Sequence, residues 1–124
     1  MKIRIKGNSI RLRLTRSEVD LLATDGYLEE RTEFTDSVFK YTLQSKPGID
    51  NLDADFRDGT IAMYVPSETC AEWAKNETIG YSNSITLPNG NTLFLLLEKD
   101  FKCIDSSMNE DQSDNFENPT HSCE

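Results

Sequence analysis

The sequence predicts a single α+β domain: a mainly antiparallel curled sheet or small barrel of about eight strands in hairpins, with two short helices packed on it. Three observations predict it. At 124 residues and 14.1 kDa the chain has room for one core. Stretches that alternate apolar and polar side chains are interrupted by short Gly, Asn and Asp turn signals. Between them lie two segments of helical period with capping residues at their starts.

The first element is a hairpin over Met1–Leu14. Gly7-Asn8 forms its loop, because glycine at the first central position supplies the positive φ of a type II′ turn. That register pairs Ile3 with Leu12 and Arg4 with Arg11. It gathers Ile3, Ile5, Ile10 and Leu12 on one face and Lys2, Arg4, Lys6, Ser9, Arg11 and Arg13 on the other. Thr15-Arg16-Ser17-Glu18 then has capping-box form, Val19, Leu22 and Ala23 make one apolar stripe, and Gly26 is placed to end the helix. A second hairpin joins Tyr27–Phe34 to Val38–Gln44 across Thr35-Asp36.

Asp58-Gly59 is a type I′ signal that sets Ala54 opposite Met63 and places Leu52, Ala54 and Phe56 beside Ile61, Met63 and Val65. Ser67 is expected to cap the second helix, whose buried side is Cys70, Trp73 and Ala74. A last hairpin turns at Asn89-Gly90. Its second strand, Leu93-Phe94-Leu95-Leu96-Leu97, is apolar on both faces and so is expected to be central and covered on both sides. Hairpin, helix, hairpin thus occurs twice. Ser17-Glu18 and Gly26-Tyr27 recur as Ser67-Glu68 and Gly80-Tyr81 at an offset of about fifty residues, which suggests an internal duplication. The expected core is Ile3, Ile5, Ile10, Leu12, Phe56, Ile61, Met63, Val65, Trp73 and Leu95.

Charge is partitioned along the chain. Residues 1–16 hold Lys2, Arg4, Lys6, Arg11, Arg13 and Arg16 with no acid. Residues 104–124 hold Asp105, Glu110, Asp111, Asp114, Glu117 and Glu124 with no base, and are poor in apolar side chains. The expected organisation is one domain over 1–103 and an acidic C-terminal tail over 104–124. The net charge of −9 opposes nucleic acid and anionic membranes. No apolar run has the length of a signal or a membrane span, so a cytoplasmic protein with no membrane partner is expected.

Lys2, Arg4, Lys6, Arg11 and Arg13 are the candidate anion-binding residues, because directly opposed cations need an anion or full solvation. The ordinary reading beside it is neutralisation by Glu29, Glu30, Glu33, Asp53 or Asp55 on adjoining strands, or by the tail, with Phe116 as the tail's apolar anchor. Glu29, Arg31 and Glu33 share one strand face, which suits a cation or acid/base work no better than it suits a solvated strand. Cys103, His121 and Cys123 are three zinc-type ligands without local pairing. Cys70 reads as a small core residue. The single histidine lies in the tail, and no catalytic residue, metal site or cofactor is assigned.

Met1-Lys2-Ile3-Arg4-Ile5-Lys6-Gly7-Asn8-Ser9-Ile10-Arg11-Leu12-Arg13-Leu14, the closing Leu97-Glu98-Lys99-Asp100-Phe101-Lys102-Cys103, and the acidic Glu110–Phe116 followed by Asn118-Pro119 resemble a family of short bacterial proteins of unknown function. The resemblance covers nearly the whole chain and implies no activity. The sequence therefore favours a non-catalytic binding or interaction module. Its basic hairpin face would meet an acidic protein surface or the chain's own acidic tail. The alternative is a phosphate-hydrolysing or phosphate-transferring enzyme acting on polyphosphate, since strands studded with Arg, Lys and Glu are similar to those of triphosphate tunnel enzymes. Lys2, Arg4 and Lys6 stand where the first acidic strand of those enzymes would be.

Overall fold

The structure is a computed structural model that describes residues 1–101 and Phe116. Its elements are β1 (Lys2–Lys6), β2 (Ser9–Leu14), α1 (Arg16–Asp25), β3 (Tyr27–Glu33), β4 (Val38–Lys46), β5 (Asp53–Arg57), β6 (Thr60–Pro66), α2 (Ser67–Trp73), β7 (Gly80–Thr86) and β8 (Thr92–Lys99). The strands form two separate four-stranded sheets, ordered β1-β2-β8-β7 and β3-β4-β6-β5, and neither closes into a barrel. The expected curled sheet or small barrel is therefore corrected to two sheets. Each sheet takes one hairpin from each half of the chain and joins them through a central parallel pair, β2 with β8 or β4 with β6. The hairpin-helix-hairpin unit thus occurs twice, with its second hairpins exchanged between sheets.

Two hairpins have the expected registers, Ile3 opposite Leu12 and Ala54 opposite Met63, β3 joins β4 as expected with Glu30 opposite Tyr41, and the last hairpin sets Asn83 opposite Leu95. Turn chemistry explains the two that begin each half. Gly7 has φ 55° while Asn8 keeps a negative φ, as a type II′ turn requires, whereas Asp58 and Gly59 both have positive φ (51° and 72°), as type I′ requires. Repetition is real in topology but the recurring letters misalign it. Strand and helix bounds set Thr15 against Pro66, Leu22 against Trp73 and Leu28 against Tyr81, at offsets of about 51 to 53 residues.

Helix α1 starts with the expected capping box. Thr15 accepts from the Glu18 N–H, the Glu18 carboxylate accepts from the Thr15 N–H, and Gly26 closes the helix in the left-handed conformation at φ 70°. The expected Ser67 cap on α2 is not formed. Pro66 holds the cap position without a side-chain bond, and the Ser67 hydroxyl instead accepts from the Ser45 hydroxyl at 2.8 Å. That bond ties the helix start to β4.

The core lies between the sheets and against both helices. It comprises Leu12, Leu14, Leu95 and Leu97 from one sheet, Leu43, Met63 and Val65 from the other, and Val19, Leu22, Cys70 and Trp73 from the helices. The Trp73 indole donates to the Thr78 carbonyl at 2.8 Å and meets Tyr81 edge-on. The helices close only the end of the inter-sheet space where β2, β4, β6 and β8 finish. For that reason two expected core residues are corrected: Ile5 and Phe56, near the hairpin turns at the other end, are 52% and 66% exposed. Ile3 and Ile10 are only partly buried, whereas Leu12, Ile61, Met63, Val65, Trp73 and Leu95 are buried.

Strand β8 is internal as expected, but its outer side is not covered. Leu95 and Leu97 are fully buried while Phe94 is exposed and Leu96 half-buried, because no helix packs on the outside of that sheet. The apolar sides of both sheets face each other, so the charged, tunnel-like interior of the enzyme alternative is not what this fold builds. Among the described residues, no helix is long and apolar enough to cross a membrane.

Candidate anion-binding face

Strand alternation and register put three rows across the outer side of the sheet β1-β2-β8-β7. Lys6, Ser9, Phe94 and Ser84 make one row, Arg4, Arg11, Leu96 and Ser82 the next, and Lys2, Arg13, Glu98 and Gly80 the third. All five sequence-identified cations are therefore brought together on one face. Their neighbours, an exposed phenylalanine, a leucine and small hydroxyls, come from the far end of the chain through the parallel β2–β8 pairing.

Among the described residues, the anions that answer these cations are not the strand acids expected from sequence. Glu29, Glu30, Glu33, Asp53 and Asp55 belong to β3 and β5 in the other sheet. Glu98 serves instead, accepting from Arg13 at 2.7 Å and lying 3.3 Å from the Arg11 Nε, while Asp100 lies 3.2 Å from the Lys2 amine. Sequence reasoning missed both acids because they follow the apolar run of β8, and only the crossover between chain ends makes them neighbours of β1 and β2. Arg4 and Lys6 make no ion pair among the described residues. Among the described residues, the carboxylates on this face facing Lys2, Arg4, Lys6, Arg11 and Arg13 are those of Glu98 and Asp100. Gly80 completes its lower row by necessity, since a Cβ there would lie 2.3 Å from the Leu97 carbonyl oxygen.

The remaining candidates have ordinary environments. Glu29 pairs with Arg31 at 3.1 Å and accepts from the Tyr27 hydroxyl at 2.8 Å, an alternation of charge on an outer strand face. Tyr27's hydroxyl is accordingly held above the usual tyrosine range, first by that hydrogen bond and then by burial. Cys70 is buried, and burial pushes its thiol up, away from the reactive thiolate. Asp53–Gly59 forms strand and turn, as the type I′ signal at Asp58-Gly59 implied. Among the described residues no group of acids, histidines and cysteines is placed to hold a metal. Cys103, His121, Cys123 and the contacts of the acidic tail other than Phe116 lie outside the described residues.

Phe116 does anchor, but at the helix end of the sheet rather than over the Arg4–Arg11 row. Its N–H donates to the Asp100 carbonyl at 2.8 Å and its ring meets Phe101 edge-on. The Arg16 guanidinium stands 5.4 Å from the Phe116 ring centre and the Lys99 amine 4.8 Å. Lys99 points inward, where its amine donates to the Asn76 carbonyl at 2.8 Å, and burial lowers its pKa.

The Met1 ammonium is partly buried and ion-paired with Glu18 and with Glu30, while the Tyr41 hydroxyl donates to the Met1 carbonyl. Burial alone would lower this amine's pKa, but the hydrogen bonds and charges of the two glutamates outweigh it and hold the amine above its usual value near 8. A group whose pKa rises on folding contributes stability below its unfolded pKa and loses it as pH rises through the folded one. Wild type is therefore expected to lose about 0.5–1 kcal/mol relative to Glu30→Gln as the pH rises above about 8. Paired thermal melts at each pH check this. Equal pH profiles for the two proteins would show that the Glu30 pair contributes nothing.

Fold and face together define a small α+β protein of two exchanged half-sheets that gathers five cations on the outer side of one of them. The chain belongs to DUF7009, a family of unknown function whose pattern matches residues 1–120. No curated protein and no solved structure matches it.

Proposed function

We propose that the protein is a non-catalytic binding module whose outer β1-β2-β8-β7 face engages an acidic protein surface. The observation that carries this is the opposition of Arg4 and Arg11 while the one carboxylate of Glu98 is shared between Arg11 and Arg13. Directly opposed cations are costly unless neutralised, solvated or bound. Phe94 and Leu96 beside them supply apolar contact, a mix that suits a folded or extended acidic polypeptide. The overall charge of −9 works against nucleic acid as the partner. The residues that carry the binding are Arg4, Lys6 and Arg11, with Lys2 and Arg13 held by Asp100 and Glu98 at the lower edge. The tail over 104–124, with its six acids, is the natural intramolecular competitor for the same face.

Heparin serves as the probe polyanion. The chain truncated after residue 103 is expected to elute at higher salt than the full chain, and Arg4→Glu with Lys6→Glu to elute earlier than either. Identical elution of the truncated protein and its double variant would overturn the reading.

A further inference from the structure

Strands β1, β7, β3 and β5 end the two sheets, and three of these four edges are charged. β1 carries three charged side chains, β3 four and β5 three. Charge along an edge keeps a sheet from pairing with another. β7, Gly80–Thr86, is seven residues long and has neither a charge nor a proline. Among the described residues no strand borders its outer edge. An edge of this length and composition is open to one more strand.

The ladder with β8 determines which backbone groups of β7 point outward. The Lys99 N–H donates to the Ile79 carbonyl at 2.8 Å and the Leu87 N–H to the Asn91 carbonyl at 2.7 Å, at the two ends of one register. Bonded and non-bonded pairs alternate in an antiparallel ladder, so Tyr81, Asn83 and Ile85 bond to β8. Gly80, Ser82, Ser84 and Thr86 aim their N–H and C=O groups away from it. Phe94, opposite Ser84, accordingly donates its N–H to the Asn8 carbonyl on the β2 side. The Ser82 and Ser84 side chains are exposed, while the Asn83 amide donates to the Leu52 carbonyl at 2.9 Å.

We propose that β7 pairs antiparallel with β7 of a second copy of this chain, about a twofold axis at Asn83. In that register Ser82 opposes Ser84, and Gly80 opposes Thr86, of the other copy. These are the residues whose edge groups point outward, so each such pair exchanges two hydrogen bonds. Tyr81 opposes Ile85 in the closer, non-bonded pairs, an aromatic against a β-branched side chain with no like charges facing. The same operation is opposed by charge at the other three edges. About its own middle, β1 sets Arg4 against Arg4 and Lys2 against Lys6, β3 sets Glu30 against Glu30, and β5 sets Asp55 against Asp55. The self-complementary register therefore identifies the occupant, and an isologous pair of this kind closes at two copies.

Sedimentation of the full chain over a range of concentrations tests the proposal. A dimer is expected, and added salt is expected to hold or tighten it, because each copy carries a charge of −9. Ser82→Lys with Ser84→Lys sets cations against each other across the axis and is expected to weaken the dimer about tenfold or more. Ser82→Glu with Ser84→Lys sets acid against base in the same register and is expected to restore it. Both positions are exposed, and circular dichroism checks that the variants fold. Hydrogen exchange is the second readout: the Ser82 and Ser84 amides are expected to gain protection as concentration rises. A monomer throughout, or a dimer that the double lysine variant leaves intact, would overturn the proposal. Protection of those amides in a monomer, independent of concentration, would give the edge to residues of the same chain and overturn it too. Arg4→Glu with Lys6→Glu, whose heparin elution reads the basic face, is expected to leave the dimer intact, so failure of either reading leaves the other standing.

Discussion

Replacing Leu12 by alanine is expected to destabilise the protein by about 2 to 5 kcal/mol, while Phe56→Ala should leave stability within about 0.5 kcal/mol of wild type. Both side chains belong to the inward apolar sides of their hairpins, and sequence alone places both in the core with the same expected cost of about 2 to 5 kcal/mol. Their positions along the inter-sheet space separate them. Leu12 is 1% exposed, among the leucines of β2 and β8 and against the helix layer, so its removal leaves a cavity that rigid neighbours cannot fill. Phe56 lies at the open mouth with two-thirds of its surface in water, and truncating it deletes little buried contact. Chemical denaturation of both variants with unchanged m-values checks the pair. A large loss for Phe56→Ala would mean that the open end is closed in solution.

Gly80→Ala is expected to cost about 2 to 3 kcal/mol despite adding a single methyl group at an edge strand. The glycine has no positive φ to maintain, so backbone freedom is not the reason. An added Cβ would stand 2.3 Å from the Leu97 carbonyl oxygen and 2.9 Å from the Glu98 backbone, atoms locked in the β7–β8 ladder. To relieve the clash β7 must move away from β8, which loosens Tyr81 from Trp73 and disturbs Glu98, the acid on which Arg11 and Arg13 depend. The variant is therefore expected also to change the salt at which the protein leaves heparin. Ser82→Ala, two residues along the same strand on an exposed position, serves as the control and should change stability by less than about 0.5 kcal/mol. Equal melting of Gly80→Ala and wild type would show that the start of β7 frays freely.

Much of this protein is local information and was legible in the residues themselves. Gly7-Asn8 and Asp58-Gly59 determine turn type through the sign of φ, and turn type determines register. Every cross-strand pair of those hairpins, and hence the gathering of Lys2, Arg4, Lys6, Arg11 and Arg13 on one side, follows without knowledge of the rest of the chain. The capping box of Thr15 and Glu18 and the left-handed Gly26 bound α1 in the same way. Family membership was likewise carried by the basic alternating start and the Leu97–Cys103 segment. What lay beyond reach is everything decided by which hairpin joins which. A parallel pairing between β2 and β8 has no turn to announce it, so the exchange of half-sheets, the use of Glu98 and Asp100 as counter-charges, and the bare outer side of β8 were decided by tertiary packing alone. Burial of Ile5 and Phe56 failed as an expectation for the same reason. Alternation shows which side of a strand faces inward, but only the placement of two short helices at one end of the sandwich determines how much of that inward side is covered, and it leaves the other end open as a cavity.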